Sequence, residues 1–147
     1  MLEETVFAKE IEKYELFHSK VLRLIKRSKF SKEKLYLLLI KFVPLETVNY
    51  FSKEVAESVI NSFRPNDPIC KFSNDLFLVA VITTASIPIE IFESRLEKKL
   101  RSFYIRNIKF SLSFAISPYE STNYLSLLKI AHNRLKEKQS IKDKTVV

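Results

Sequence analysis

The sequence predicts an α+β fold: a ferredoxin-like, or palm, β-α-β-β-α-β core with one helix added at each end. Apolar runs of strand length alternate along the chain with segments whose apolar residues recur every three or four positions, as in amphipathic helices. With 147 residues and 46% apolar content, the chain can bury the core of one domain. We expect residues 1–147 to form that single domain, with an N-terminal helix at 1–28 and a basic flexible tail at 140–147.

The first half of the chain is predicted to form a helix, a strand and a second helix. Residues 3–27 carry one apolar stripe at helical spacing. Its members are Phe7, Ile11, Tyr14, Phe17, Val21 and Leu24. The run KLYLLLIKFV at 34–43 is almost wholly apolar, as in a strand covered on both faces. Residues 45–63 return to helical spacing and should end before Pro65, which restricts Arg64 to extended backbone.

The second half is predicted to begin with a hairpin. CKFSNDLFLVAV, residues 70–81, contains two strands joined by Ser73-Asn74-Asp75, a turn without glycine. Asn74 and Asp75 are residue types that accept left-handed backbone where glycine is missing, so the turn is feasible. The apolar second strand and the strand at 34–43 should lie in the centre of the sheet.

A helix, a strand and a last helix complete the predicted order. Ser86 is the predicted N-cap of a helix that runs to about Tyr104. Its apolar positions include Ile91, Leu96 and Leu100. Residues 108–117 alternate between apolar and polar, which predicts a strand with one exposed face that carries Ser111, Ser113 and Ser117. The apolar spacing of residues 122–138 predicts the last helix. The N-terminal helix should cover the face of the sheet that would otherwise be open to solvent.

Composition excludes several classes of site. The chain has no glycine, so neither a P-loop nor a GxGxxG nucleotide cradle can form. Cys70 is the one cysteine and only His18 and His132 accompany it, which excludes an internal disulfide and argues against a transition-metal site. We expect no metal and no cofactor.

The acidic N-terminus lacks the apolar region of a signal peptide, and no apolar run reaches membrane-spanning length. We therefore expect a cytoplasmic protein without membrane contact.

The formal net charge of +8 could attract nucleic acid, anionic lipid or a small phosphorylated ligand. Much of the excess lies in two runs, residues 26–34 and 134–144, and such runs are usually solvated linkers or helix ends. No basic motif interleaved with aromatic residues accompanies the charge. Nucleic acid is therefore not an expected partner.

The hairpin and its surroundings resemble the diguanylate cyclase, or GGDEF-domain, family over about residues 15–139. RPNDPICKFSNDLFLVAV is similar to that family's R-x-x-D, aromatic and G-G-(D/E)-E-F-(apolar) run. The five positions of the motif are then Ser73, Asn74, Asp75, Leu76 and Phe77. IKFSLSFAIS resembles the family's following strand, YLSLLKIAHNRLKEK its last helix, and Phe17 the aromatic residue of its first helix.

The resemblance implies a degenerate member that lacks the catalytic motif. The family's glycines let a triphosphate approach the hairpin backbone, whereas Ser73 and Asn74 put side chains there. The family also holds Mg²⁺ with several carboxylates, of which only Asp75 remains, and that residue is more typical here of a turn former. Lys41 and Val43 end the strand from which another carboxylate should come. We therefore expect no cyclase activity and no catalytic residues.

A second part of the resemblance concerns a ligand-binding motif of the family. Arg64 and Asp67 match R-x-x-D, the motif at which the family binds its product, cyclic di-GMP, and Arg95 falls where that site has another arginine. A guanidinium can donate two hydrogen bonds to guanine O6 and N7. Lys71 or Lys98 would help to neutralise phosphate. Alternatively, Arg64 to Asp67 is simply a turn after a helix, and Arg95 belongs to a charged helix face.

Two further sets of residues leave alternatives. His18 and His132 are single histidines on helices and Cys70 lies in a strand, so structural roles are favoured over catalysis. The stripe of the N-terminal helix fits core packing, but its spacing also fits a short coiled-coil seam.

Taken with the resemblance, the sequence predicts an inactive GGDEF-like regulatory domain that recognises cyclic di-GMP. The alternative is a protein interaction or scaffold domain that binds no nucleotide. We also expect a protein partner, or a homodimer, through the N-terminal helix.

Overall fold

A computed structural model describes residues 14–44, 52–105, 108–140 and 145–146. Its helices are α1 Glu15–Lys29, α2 Ser52–Asn61, α3 Ile89–Ser102 and α4 Tyr124–Ser140. Its strands are β1 Lys34–Pro44, β2 Ile69–Lys71, β3 Leu76–Thr83, β4 Ile108–Ser117 and β5 Thr145–Val146. The α+β, palm-type order predicted from the sequence is therefore confirmed. None of the helices in these ranges is long and apolar enough to cross a membrane.

The strands form an antiparallel sheet in the order β2-β3-β1-β4-β5. β1 lies at the centre, and β3 lies inside the sheet because β2 covers its outer edge, as expected from their apolar runs. The register sets Lys41 of β1 opposite Leu76 of β3 and Ser111 of β4. Thr145 and Val146 pair with the first residues of β4, an edge strand that the sequence did not predict.

α1 and α4 cover one face of the sheet. Phe17, Val21 and Ile25 of α1 are buried in the same cluster as Leu128 and Leu135 of α4. We expected the N-terminal helix to cover this face of the sheet, and this is confirmed for α1. The helix α4 covers the same face beside it. The beginning of that predicted helix, residues 3–13, and the beginning of the predicted second helix, residues 45–51, lie outside the described residues.

α2 and α3 cover the opposite face. Phe92 and Leu96 of α3 are fully buried with Val55 of α2. Two details of the predicted third helix are wrong. Ile91 is 43% exposed because the helix begins so that Phe92 faces the sheet. Ser86 is not the N-cap: the helix begins after Pro88 without a side-chain cap, and the Ser86 hydroxyl accepts a hydrogen bond from Lys34.

The predicted exposure of the serine face of β4 is also wrong. Ser111, Ser113 and Ser117 are buried, since α1 and α4 pack over this part of the sheet. The Ser113 hydroxyl donates to the carbonyl of Ala131 in α4 at 2.6 Å, and Ser117 shares a 2.8 Å hydroxyl contact with Ser28 of α1. These hydrogen bonds remove the penalty of burying a hydroxyl group, so small polar residues serve here as packing residues.

The end of α3 shows how a chain without glycine terminates a helix. Tyr104 has a φ of 59°, the left-handed conformation that usually selects glycine. Its N–H donates to the Arg101 carbonyl at 3.0 Å, and the N–H of Ile105 donates to the Leu100 carbonyl at 2.9 Å. These two bonds form a Schellman motif, which satisfies the last helical carbonyls. Tyr104 is 85% exposed, so its ring does little to offset the backbone strain.

We expect Tyr104→Gly to raise the free energy of unfolding by about 1 kcal/mol over Tyr104→Ala, because only glycine avoids the Cβ penalty of this conformation. Both variants remove the exposed ring, so the difference between them isolates the backbone effect. Urea denaturation of the two proteins measures it. Equal midpoints for the glycine and alanine variants would show that the backbone at Tyr104 is not strained.

Candidate ligand-binding site

The β2–β3 hairpin turns without left-handed backbone. The N–H groups of Phe72 and Ser73 both donate to the carbonyl of Leu76, at 3.0 and 3.2 Å. The turn forms without glycine, as expected, but it does not use the tolerance of Asn74 and Asp75 for left-handed backbone, since Tyr104 is the one non-glycine residue with a positive φ in the described ranges. The turn is closed by these backbone bonds and by the Ser73 hydroxyl, which donates to Asp75 Oδ1 at 2.6 Å.

Lys41 and Asp75 form an ion pair across the sheet. Lys41 Nζ lies 2.7 Å from Asp75 Oδ2. The register explains the contact, because Lys41 is opposite Leu76, the residue after Asp75. The Phe42 N–H also donates to the Asp75 carbonyl at 2.7 Å, which fixes the end of the turn against β1. The Asp75 carboxylate thus has a cation and a hydroxyl group as neighbours.

This arrangement does not fit a magnesium ion. Burial acts to raise the pKa of Asp75, but the hydrogen bonds from Lys41 and Ser73 outweigh it and hold that pKa below its ordinary value. The carboxylate is therefore ionised but already neutralised by Lys41. Mg²⁺ demands near-octahedral oxygen coordination and usually one or two carboxylates that are free to bind it. Within the described residues, no group of three or more His, Cys, Asp or Glu side chains could hold a metal ion.

Leu76 and Phe77, the last two motif positions, are packing residues. Leu76 is buried in the cluster under α1 and α4, and Phe77 in the cluster under α2 and α3. Phe77 also packs edge-on against Phe42, with ring centroids 5.8 Å apart. Neither side chain points to solvent, so neither can contact a ligand at the hairpin surface.

Arg64 and Asp67 lie in one tight turn after α2. The Arg64 N–H donates to Asp67 Oδ2 at 2.9 Å, and Arg64 Nη2 lies 3.2 Å from Asp67 Oδ1. Arg64 Nη2 also donates to the carbonyl of Ile82 in β3 at 2.7 Å. The Asp67 side chain is only 7% exposed, whereas that of Arg64 is 61% exposed. The carboxylate therefore organises the turn, and the guanidinium presents its remaining donors to solvent.

The three residues of the expected ligand site line one open depression of about 880 Å³. Arg64 and Asp67 come from the turn, and Arg95 from the exposed side of α3. Lys98 and Lys99 add two more cations, so positive charge exceeds the single carboxylate. We call this the α3 depression.

The sequence pattern identified only part of this depression. Lys71, which was considered as a phosphate partner, does not line it, whereas Lys98 does. Lys99 was missed, although its spacing from Arg95 places both on one helix face. No sequence signal could have indicated the bond from Arg64 to the carbonyl of Ile82, because it depends on the distance between α2 and β3 in the fold.

The remaining candidate residues lie in the core or against it. Cys70 of β2 is buried, and burial raises its pKa to about 11, so the thiol stays protonated at neutral pH. His18 stacks on Tyr124 with ring centroids 4.9 Å apart, which joins α1 to α4. His132 is buried on α4. These positions are those of packing residues.

The fold is similar to solved structures of GGDEF domains. The GGDEF domain of TpbB, or YfiN, from Pseudomonas aeruginosa has a TM-score of 0.67 and 16% identity over 86% of this chain and 84% of that one. A sensory box/GGDEF family protein from Caulobacter crescentus has a TM-score of 0.69 and 16% identity over 85% and 90%. The GGDEF domain of DgcB from Caulobacter crescentus, in complex with c-di-GMP, has a TM-score of 0.65 and 14% identity over 84% and 82%.

No protein-family model and no curated protein matches the chain. Identities of 14 to 16% show a shared fold and leave the chemistry to the residues of this chain. The palm-type fold expected from the sequence is thus supported by independent structures.

We expect the wild-type protein not to bind Mn²⁺, used as a paramagnetic probe for Mg²⁺, because Lys41 neutralises Asp75. Lys41→Asp places a second carboxylate beside Asp75 and should bind Mn²⁺ with a dissociation constant of about 10⁻³ M or tighter. Electron paramagnetic resonance of free Mn²⁺ measures this. Lys41→Gln is the control, since it removes the cation without adding a ligand. Wild-type binding that Asp75→Asn abolishes would contradict the interpretation.

Proposed function

We propose that this chain is a catalytically inactive GGDEF-like regulatory domain that binds cyclic di-GMP in the α3 depression, through Arg64, Asp67 and Arg95. The ion pair between Lys41 and Asp75 is the observation that carries the loss of catalysis. The convergence of the other three residues on one depression supports the receptor role.

The loss of catalysis follows from the charges at the hairpin. A cyclase needs metal ions that bridge phosphate oxygens and neutralise the charge that develops during transfer. Here Asp75 is the one carboxylate that matches the family's metal ligands, and its Oδ2 atom is paired with Lys41 Nζ at 2.7 Å. Ser73 and Asn74 place side chains where a glycine pair would leave the backbone bare. With neither metal nor open backbone, the hairpin cannot align a triphosphate for reaction.

The receptor role depends on donors that the turn leaves free. An arginine has five N–H donors, and Arg64 uses Nε and Nη2 for Asp67 and Ile82. Its Nη1 group makes no hydrogen bond within the described residues, and neither does Arg95. Two guanidinium groups at one depression suit the O6 and N7 edge of guanine, and Lys98 suits a phosphate. The binding of c-di-GMP by the similar DgcB domain adds support.

We expect calorimetry with cyclic di-GMP to give saturable heat for the wild-type protein. Arg64→Ala and Arg95→Ala should each weaken binding by about tenfold to a hundredfold, the loss of a charge-assisted hydrogen bond. Arg101→Ala is the control, because Arg101 also lies on α3 but pairs with Glu97 at 2.5 Å and does not line the depression. Absence of heat with the wild-type protein would eliminate the receptor role.

Incubation with GTP and Mg²⁺ should give no cyclic di-GMP above the background of a protein-free sample, since the hairpin lacks a metal site. Chromatography of the reaction products measures this. The proposal of inactivity is refuted if the wild-type protein turns GTP over and Asp75→Ala abolishes that turnover.

One observation favours the alternative, a protein interaction domain that binds no nucleotide. The Asp67 carboxylate accepts hydrogen bonds from the N–H and the guanidinium of Arg64, so a purely structural role in the turn accounts for this pair. Leu16, Leu22 and Phe30 of the α1 region are exposed and could contact a protein partner or a second copy of the chain. In that case wild-type calorimetry gives no heat, and the chain still self-associates or captures a partner through α1.

A further inference from the structure

The outer edge of β4 is occupied by side chains rather than by a full strand. β5 pairs only with the beginning of β4, and no other described strand pairs with the stretch Leu112–Ile116, which we call the β4 edge. Its carbonyls nevertheless have donors. Lys138 Nζ donates to the carbonyl of Leu112, and Arg134 Nη1 donates to the carbonyl of Phe114 at 2.8 Å. Both cations come from α4, and their spacing of four residues places them on one side of that helix.

The loop after β4 occupies the last part of this edge. The Ile116 N–H donates to Glu120 Oε1 at 3.0 Å, and the Glu120 N–H donates to the Ile116 carbonyl at 2.8 Å. Glu120 also pairs with Arg134, whose Nη1 donates to Oε1 at 2.9 Å. The hydrogen bond from Arg134 holds the pKa of Glu120 below its ordinary value, so the carboxylate is ionised at neutral pH and keeps the guanidinium beside the strand.

Lys138 reaches the β4 edge from one face of the sheet and meets a residue of the other face. α4 packs with α1 on the first face, whereas Leu112 is buried in the cluster under α2 and α3. Lys138 Nζ lies 3.7 Å from Glu93 Oε2 of α3. The Lys138 side chain therefore passes along the edge of the strand, and at 23% exposure most of it is covered by protein.

The backbone of this edge is complementary to itself. In an antiparallel ladder the N–H and C=O groups of one residue point to the same side. The N–H groups of Leu112 and Phe114 therefore point outward with the carbonyls that α4 occupies. If two copies met in opposite directions, Leu112 of one copy could exchange two hydrogen bonds with Phe114 of the other, and the reverse pair would add two more. An unpaired edge of this kind is a template for another strand.

We propose that the β4 edge is a pairing surface for a second copy of this chain, and that Lys138 and Arg134 keep it unavailable. The two cations occupy the carbonyls that the second copy needs, and their long side chains fill the space beside the strand. Charged side chains at an edge are one means by which proteins prevent edge-to-edge association. A pairing of so few residues is marginal by itself, so two occupied carbonyls suffice to prevent it.

The surface contains no residue of the α3 depression, so it does not depend on the cyclic di-GMP proposal. It also lies at the opposite edge of the sheet from β2 and does not include α1, the element through which the interaction domain would associate.

Sedimentation velocity of the full chain over a range of concentrations tests the proposal. We expect the double variant Arg134→Ala/Lys138→Ala to self-associate with a dissociation constant at least about tenfold below that of the wild-type protein, because freed carbonyls gain hydrogen bonds to the second copy. Lys26→Ala/Lys136→Ala is the matched control. It removes the same charge, and both lysines are exposed and make no hydrogen bond or ion pair within the described residues. The control should behave as the wild-type protein does.

Amide hydrogen exchange locates the contact. In the double variant, exchange at Leu112 and Phe114 should slow as the protein concentration rises, because their N–H groups become bonded to the second copy. Association that leaves these two amides unchanged, as a contact through α1 would, overturns the proposal. A double variant that is folded by circular dichroism and stays monomeric also overturns it, as does a wild-type protein that already pairs at this edge.

Lys138→Ala alone decides the question if the double variant does not fold, because it leaves the pair of Glu120 and Arg134 intact. Exchange at Leu112 should then slow with rising concentration in Lys138→Ala and not in Lys136→Ala. Equal exchange in these two single variants at every concentration would overturn the proposal.

Discussion

The functional interpretation depends on one contact, the ion pair between Lys41 and Asp75. The two side chains are partly exposed, so the pair adds only about 0 to 1 kcal/mol to the free energy of unfolding. Its importance is that it places a positive charge beside the Asp75 carboxylate. The sheet register fixes that position: with Lys41 opposite Leu76, the ammonium group reaches the carboxylate of the preceding residue. A divalent cation would have to displace an ammonium group that the fold places there. The same register that makes the sheet regular therefore places a positive charge at the hairpin.

The absence of glycine has different consequences at two turns. At the β2–β3 hairpin, backbone bonds to the Leu76 carbonyl give a turn without left-handed residues. At the end of α3, the chain accepts a left-handed Tyr104 because the Schellman bonds satisfy two otherwise unpaired carbonyls. The first solution adds side chains to the surface where the resemblance implied bare backbone. The missing glycines therefore do not prevent folding, but they change the surface that the hairpin presents.

The sequence was sufficient to predict the order of the helices and strands. It was insufficient to predict which side of some strands and helices is buried. Long apolar runs identified β1 and β3 as central because a strand covered on both faces needs apolar residues at every position. Ser113 and Ser117 were misjudged, since alternation cannot tell a solvent face from one that is covered by helices and satisfied by hydrogen bonds. At the candidate site, the pairing of Arg64 with Asp67 followed from local spacing. The bond from Arg64 to the carbonyl of Ile82 depends on a tertiary distance that no local pattern encodes.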